Sequence, residues 1–176
     1  YAQVRDTAGN VSSAATDSIG VDSTAPTGSL LIAGGAESVP APAVTLTQSA
    51  SDAGSGVADM RFSNDGSTWT SWETAGSSKS WTLTTGDGSK TVSCQVRDAA
   101  GNVSATATDT IGLDTTAPTG SLSIAGGAAY VISTSVVLFT GASDGSGSGL
   151  ADMRFSNDGT IWSTWEAHGS SRSCTL

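Results

Sequence analysis

Asp98, Gly101 and Asn102 stand in the stretch QVRDAAGNVS (residues 95–104), and QVRDTAGNVS at residues 3–12 puts Asp6, Gly9 and Asn10 in the matching places. An Asp and an Asn four apart around a glycine suit a side-chain-capped reversal with positive φ, and their oxygens are of the type that hard cations take. Thirteen of the sixteen acidic residues are Asp. Catalysis by nucleophile and base is poorly served. The only histidine is His168, and the matching place in the other copy is Ala75, so it belongs to no repeated site. No sequence signature sets a Ser or Cys beside it, and no carboxylate pair lies in an apolar stretch that would raise its pKa. The chain reads as non-enzymatic.

The duplicated phrase is one part of a longer repetition. DSTAPTGSL from Asp22 returns as DTTAPTGSL from Asp114, 92 residues on, and ADMRFSNDG from Ala58 returns unchanged from Ala151. One inserted residue near Ser143 shifts the offset to 93, as loops permit. The chain is therefore a tandem array: residues 1–22 are the end of one unit, 23–115 a complete unit of about 92 residues, and 116–176 the front of a third. A unit of that length can bury a modest core. The net charge of −9, with seven Lys and Arg, argues against nucleic acid or an anionic membrane as partner. No apolar run reaches the length of a membrane span.

Comparison of the copies assigns strand faces. Leu30 and Ile32 match Leu122 and Ile124 while Leu31 becomes Ser123, so Leu31 points outward from the first strand. Val44 and Leu46 face inward in the second, Met60 and Phe62 in the third. SNDGS after Phe62 is predicted to be a hairpin turn leading into a return strand over residues 68–72. Strands around Trp81 and Leu83, around Val92, Cys94 and Val96, and over residues 102–114 complete seven. Short alternating strands rich in Thr and Ser, with Gly- and Asp-bearing turns, describe an all-β, two-sheet sandwich.

The combination of DTTAPTGSL, ADMRFSNDGSTWTSWE and VRDAAGNVS resembles the bacterial Ig-like domains strung in tandem along large secreted and surface-anchored proteins, adhesins among them. The resemblance covers the whole chain. It implies tandem repeats of immunoglobulin-like or fibronectin III-like topology, an extracellular or cell-surface location and a non-enzymatic role. Metal ions in that family often sit where one domain meets the next. On that resemblance Asp98 and Asn102 with the linker residue Asp114, and Asp6, Asn10 and Asp22 in the preceding copy, are the expected Ca2+ ligands, with Asp52 and Asp144 of the SD loops beside them. Asn102 and Asn10 also open N-x-S sequons. Pro26 and Pro118 stiffen the short linkers.

Trp69 and Trp72 return as Trp162 and Trp165. A spacing of three puts such a pair on opposite faces of a regular strand, one in the core and one available for contact with a glycan. Cys94 and Cys174 occupy non-matching places, where the other copies hold Ala2 and Trp81, and both are expected to face cores as free thiols. Agreement between copies in turns and core favours a stiff spacer or stalk built of neighbouring repeats. A glycan-binding adhesive module, or a fibre-forming subunit assembled by strand complementation between chains, are the alternatives.

Overall fold

The computed structural model describes residues 1–176. Eight strands form the middle unit: β1 (Thr27–Ile32), β2 (Ser38–Val39), β3 (Ala43–Ser51), β4 (Val57–Ser63), β5 (Glu73–Thr74), β6 (Ser78–Thr82), β7 (Gly88–Asp98) and β8 (Ala107–Leu113). They make two sheets, in the orders β1-β3-β6 and β2-β8-β7-β4-β5. All pairings are antiparallel except β2 with β8. The sheets close on a core that includes Ile32, Leu46, Phe62, Leu83, Val92 and Val96. Leu30, Val44, Met60 and Ile111 are also buried and Leu31 is exposed, as alternation requires of sheets with one wet face. Phe62 and Trp81 pack ring to ring at 5.8 Å across the two sheets. No helix of the chain is long and apolar enough to cross a membrane.

The return strand is displaced from its expected place. Residues 68–72 form no ladder, and β5 pairs only Glu73 and Thr74 with β4. Between them Thr70 N donates to Phe62 O at 2.9 Å, but Phe62 N is answered by the Thr70 hydroxyl at 3.0 Å instead of a carbonyl. That substitution lets the chain leave strand geometry. As a result Trp69 and Trp72 do not divide between faces, since the Arg61 guanidinium lies over both rings, at 4.9 and 4.6 Å. The eighth strand, β2, lies in the segment ESVPAPA, whose sequence differs between copies.

The third unit repeats the first half of this plan. β9 (Thr119–Ile124), β10 (Ser135–Ser143) and β13 (Ser171–Thr175) reproduce the three-stranded sheet, and β11 (Asp152–Met153) pairs with β12 (Glu166–Ala167). Val136 and Leu138 are buried, whereas Leu122, Ile124, Trp162 and Trp165 are exposed. Residues 1–21 are exposed throughout, and their only pairings are the bridges Ala2–Ala15 and Arg5–Val11. Cys94 is buried in the core of the middle unit, where burial pushes its thiol up to about 11. Cys174 is only half-buried, because β13 has a single sheet to lie against, and both thiols are free.

Candidate metal-binding joint

The hairpin between β7 and β8 turns on Gly101, whose φ of 100° is open to glycine and costly for other residues. Asp98 is 2% exposed. Its Oδ1 accepts Asn102 N at 2.7 Å and its Oδ2 accepts Asn102 Nδ2 at 2.8 Å. Asp6 and Asn10 make the same pair of bonds in the exposed first segment, which is what a locally determined turn should do. There the Asn10 bonds hold the Asp6 carboxyl below its usual range.

Asn102 also reaches outward, donating from Nδ2 to Asp22 O at 3.1 Å. This brings the incoming linker against the hairpin. The Asp22 carboxylate accepts Ser55 N at 2.7 Å and Thr24 N at 3.0 Å, and the Ser55 bond chiefly holds its pKa below the ordinary 3.8. Gly54 permits the approach, because a side chain there would collide with the Asp22 carboxylate. Asp52, at the mouth of the same loop, uses Oδ2 to accept Gly54 N and Gly56 N at 3.0 and 2.7 Å. Its Oδ1 is buried without a hydrogen-bond partner.

Asp22, Asp52 and Asp98 thus converge, each offering a carboxylate oxygen within 4.8 Å of the others. None belongs to any of the ion pairs, which are Lys79–Glu73, Arg97–Asp59 and Arg172–Glu166. Three carboxylates at that spacing repel. A hard divalent cation would relieve the repulsion and satisfy the orphaned Asp52 oxygen, and an all-oxygen donor set suits calcium and not zinc. The residues therefore fit the group that the resemblance implies.

The grouping differs from the one expected in two respects: Asp22 joins Asp98 and Asp52, while Asp6 and Asn10 bond only each other. Asp114 does not join Asp98. It belongs to the next joint, where Oδ2 accepts Ser148 N at 2.6 Å and Oδ1 accepts Thr116 N at 3.1 Å, with Asp144 beside it at Gly147. The Ser148 contact lowers the Asp114 pKa. Each linker aspartate serves the unit that follows it: Asp22 meets the loop between β3 and β4, and Asp114 the matching loop between β10 and β11.

One joint residue has no counterpart in the expected set. Asp87, in the turn before β7, accepts Thr115 N and Thr115 Oγ1 at 2.9 and 2.7 Å and Thr116 Oγ1 at 2.6 Å. These contacts lower its carboxyl pKa, Thr116 first. The linker between the second and third units is thereby held on one side by Asp87 and on the other by Ser148. TGDGS occurs once in the chain, so no second copy drew attention to it.

The tryptophans form a different arrangement on the outer face of the five-stranded sheet. Arg97 lies over Trp72 at 4.7 Å and pairs with Asp59 on the neighbouring strand, while Arg61 donates to Gln95 at 2.6 and 2.9 Å. The indole faces that would stack on a sugar are engaged by guanidinium groups. In the third unit Arg154 covers Trp162 and Trp165 at 4.9 and 4.5 Å.

No family model and no curated protein matches the chain. Among solved structures it is similar to a crystal structure of a tetra-tandem repeat in the extending region of a large adhesion protein. The identity is 20% and the TM-score 0.33, with 98% of this chain and 46% of that chain covered. The chain spans less than half the length of that structure.

Proposed function

We propose that the chain is a structural repeat segment of a large extracellular or cell-surface protein, in which Ig-like sandwich units act as a stiff spacer. The observation that carries this reading is the linker held from both sides, by Asp87 of one unit and by Ser148 of the next. A spacer needs resistance to bending at its joints, and each clamp removes rotational freedom that a Gly- and Ser-rich linker would keep. The Asp22–Ser55 and Asp114–Ser148 contacts recur at equivalent places, so this half of the clamp belongs to the repeat and not to one unit.

Calcium is part of the same proposal. Asp22, Asp52 and Asp98 would hold the ion, tying the incoming linker to a loop and a hairpin of the following unit. Bound to the folded joint alone, it would stabilise that joint by mass action.

Small-angle scattering of the whole chain tests the spacer. An extended, narrow distribution of shapes is expected, broadening when Asp87→Ala and Asp114→Ala are combined. A distribution unchanged by the double substitution would show that the clamps do not set the stiffness.

A further inference from the structure

We infer that a cleft at the lateral edge of the complete middle sandwich is a binding site for one small neutral polyol, the size of a single sugar ring or less. The cleft lies where the two sheets end in their edge strands β6 and β5. Gln48 of β3, Met60 and Phe62 of β4, Glu73 of β5 and Lys79 of β6 line it, with Gly76 of the β5–β6 crossover in its wall, and its volume is about 190 Å³.

Gln48 carries the inference. The alternation of β3 turns Val44, Leu46 and Gln48 inward, so an amide stands where the pattern sets an apolar side chain. Gln48 is 5% exposed, and its Oε1 is buried without a hydrogen-bond partner. A buried acceptor left unanswered is costly, and folded proteins answer nearly all of them. The fold does not require this one. At the matching place in the third unit stands Thr140, whose hydroxyl donates to Gly169 O at 2.5 Å. The backbone beside it is bonded alike in both units, Gln48 N to Ser77 O and Thr140 N to Ser170 O, each at 3.0 Å. The repeat thus has a self-satisfied residue for this position, and the middle unit replaces it with one that lacks a partner.

The walls select the ligand. The inner wall offers one amide, a thioether and an aromatic ring, none of them charged. At the partly exposed rim Lys79 Nζ meets both carboxylate oxygens of Glu73 at 2.7 Å and lies 5.4 Å from the centre of the Phe62 ring. These two charges cancel, so an ionic ligand entering the cleft would find no free counter-charge, which is costly at a buried position. A neutral hydroxyl can donate to Gln48 Oε1 without that cost. Further hydroxyls of the same molecule can donate to Glu73 at the rim, while its C–H surface rests on Met60 and Phe62, the usual division of a ligand site into apolar walls and a few placed polar groups. The site is independent of the joints and of the spacer reading.

The chain has two methionines, Met60 in the cleft and Met153 at the matching place of the unit that holds Thr140. Their methyl NMR signals give a readout and an internal control in one spectrum of the full chain. Titration with glycerol, glucose, galactose and mannose is expected to move the Met60 signal to saturation with at least one of them and to leave Met153 in place. Half-saturation on the order of millimolar suits a ligand of about a dozen heavy atoms or fewer. Gln48→Thr, the residue the repeat itself uses, should weaken binding by at least about tenfold, and Gln48→Leu, which keeps the side chain's bulk without its acceptor, should do the same. A Met60 signal that no polyol moves, that moves without saturating, that Met153 matches, or that moves equally in both variants would overturn the inference and reduce the cleft to a place for water.

Discussion

Asp98 and Asp52 lie in one cluster but carry different loads. Both oxygens of Asp98 are taken by Asn102, so removing them strips the hairpin of its cap whether or not a metal binds. Asp52 spends one oxygen on Gly54 and Gly56 and leaves the other unpartnered. Asp52→Asn can keep the loop bonds through its carbonyl oxygen while removing one of the three carboxylate charges of the cluster. It is therefore expected to leave the melting temperature in chelator nearly unchanged and to lose the rise on calcium addition that the unaltered chain shows. Asp98→Ala, by contrast, should lower stability in chelator by about 1–3 kcal/mol, the usual cost of orphaned buried partners. Thermal melts with and without calcium check both; an unaltered chain indifferent to calcium would reduce all three aspartates to turn chemistry. The Asp98–Asn102 turn was legible because it is local, an i to i+4 pattern around a glycine. That Asp22 and Asp52 would meet it was not, since sequence repetition gives the phase of a unit but not which end of it a linker touches.

Strand alternation carried the reading of the elements, and it failed where the chain stopped alternating. Leu30, Ile32, Val44 and Leu46 point inward because a strand has period two and one face of each sheet is dry. Residues 68–72 keep the composition of a strand, but Arg61 draws both tryptophans to one side, a placement that no period-two segment allows. Thr70 makes this possible by presenting a hydroxyl where a strand would present a carbonyl. Thr70→Val should leave Phe62 N without an acceptor and destabilise the middle unit by about 1–3 kcal/mol, or roughly 4–8 °C in melting temperature per kcal/mol for a domain of this size. Thr70→Ser should be close to neutral. The third unit already carries that solution, with Ser163 Oγ accepting Phe155 N at 3.1 Å. Thermal melts of the two variants separate a hydroxyl that serves the backbone from one that merely occupies space: equal melting temperatures would mean the second.

At the scale of the whole molecule the joints depend on carboxylates that must stay ionised. Hydrogen bonds across the linkers lower the pKa values of Asp22, Asp87 and Asp114 from the ordinary 3.8. A depressed folded-state pKa means that the unfolded or unclamped chain binds protons more readily. The clamp's contribution is thus fully present above about pH 4 and is lost as the pH falls below that value through the depressed folded values. Protonation turns an acceptor-only carboxylate into a group that competes for the same Thr and Ser partners with one acceptor site fewer. Shape should therefore respond to acid before the cores do, because the backbone ladders and the apolar contacts of Phe62 and Leu46 do not depend on a carboxylate. Scattering profiles of the full chain are expected to broaden as the pH falls below about 4, while the near-ultraviolet signal of the half-buried Trp81 against buried Phe62 persists. Asp87→Asn should show part of that broadening already at neutral pH, since the amide keeps one acceptor oxygen and loses the charge. Profiles that superimpose across this range, in a chain whose aromatic signal is intact, would place the stiffness in Pro118 and the short linker alone.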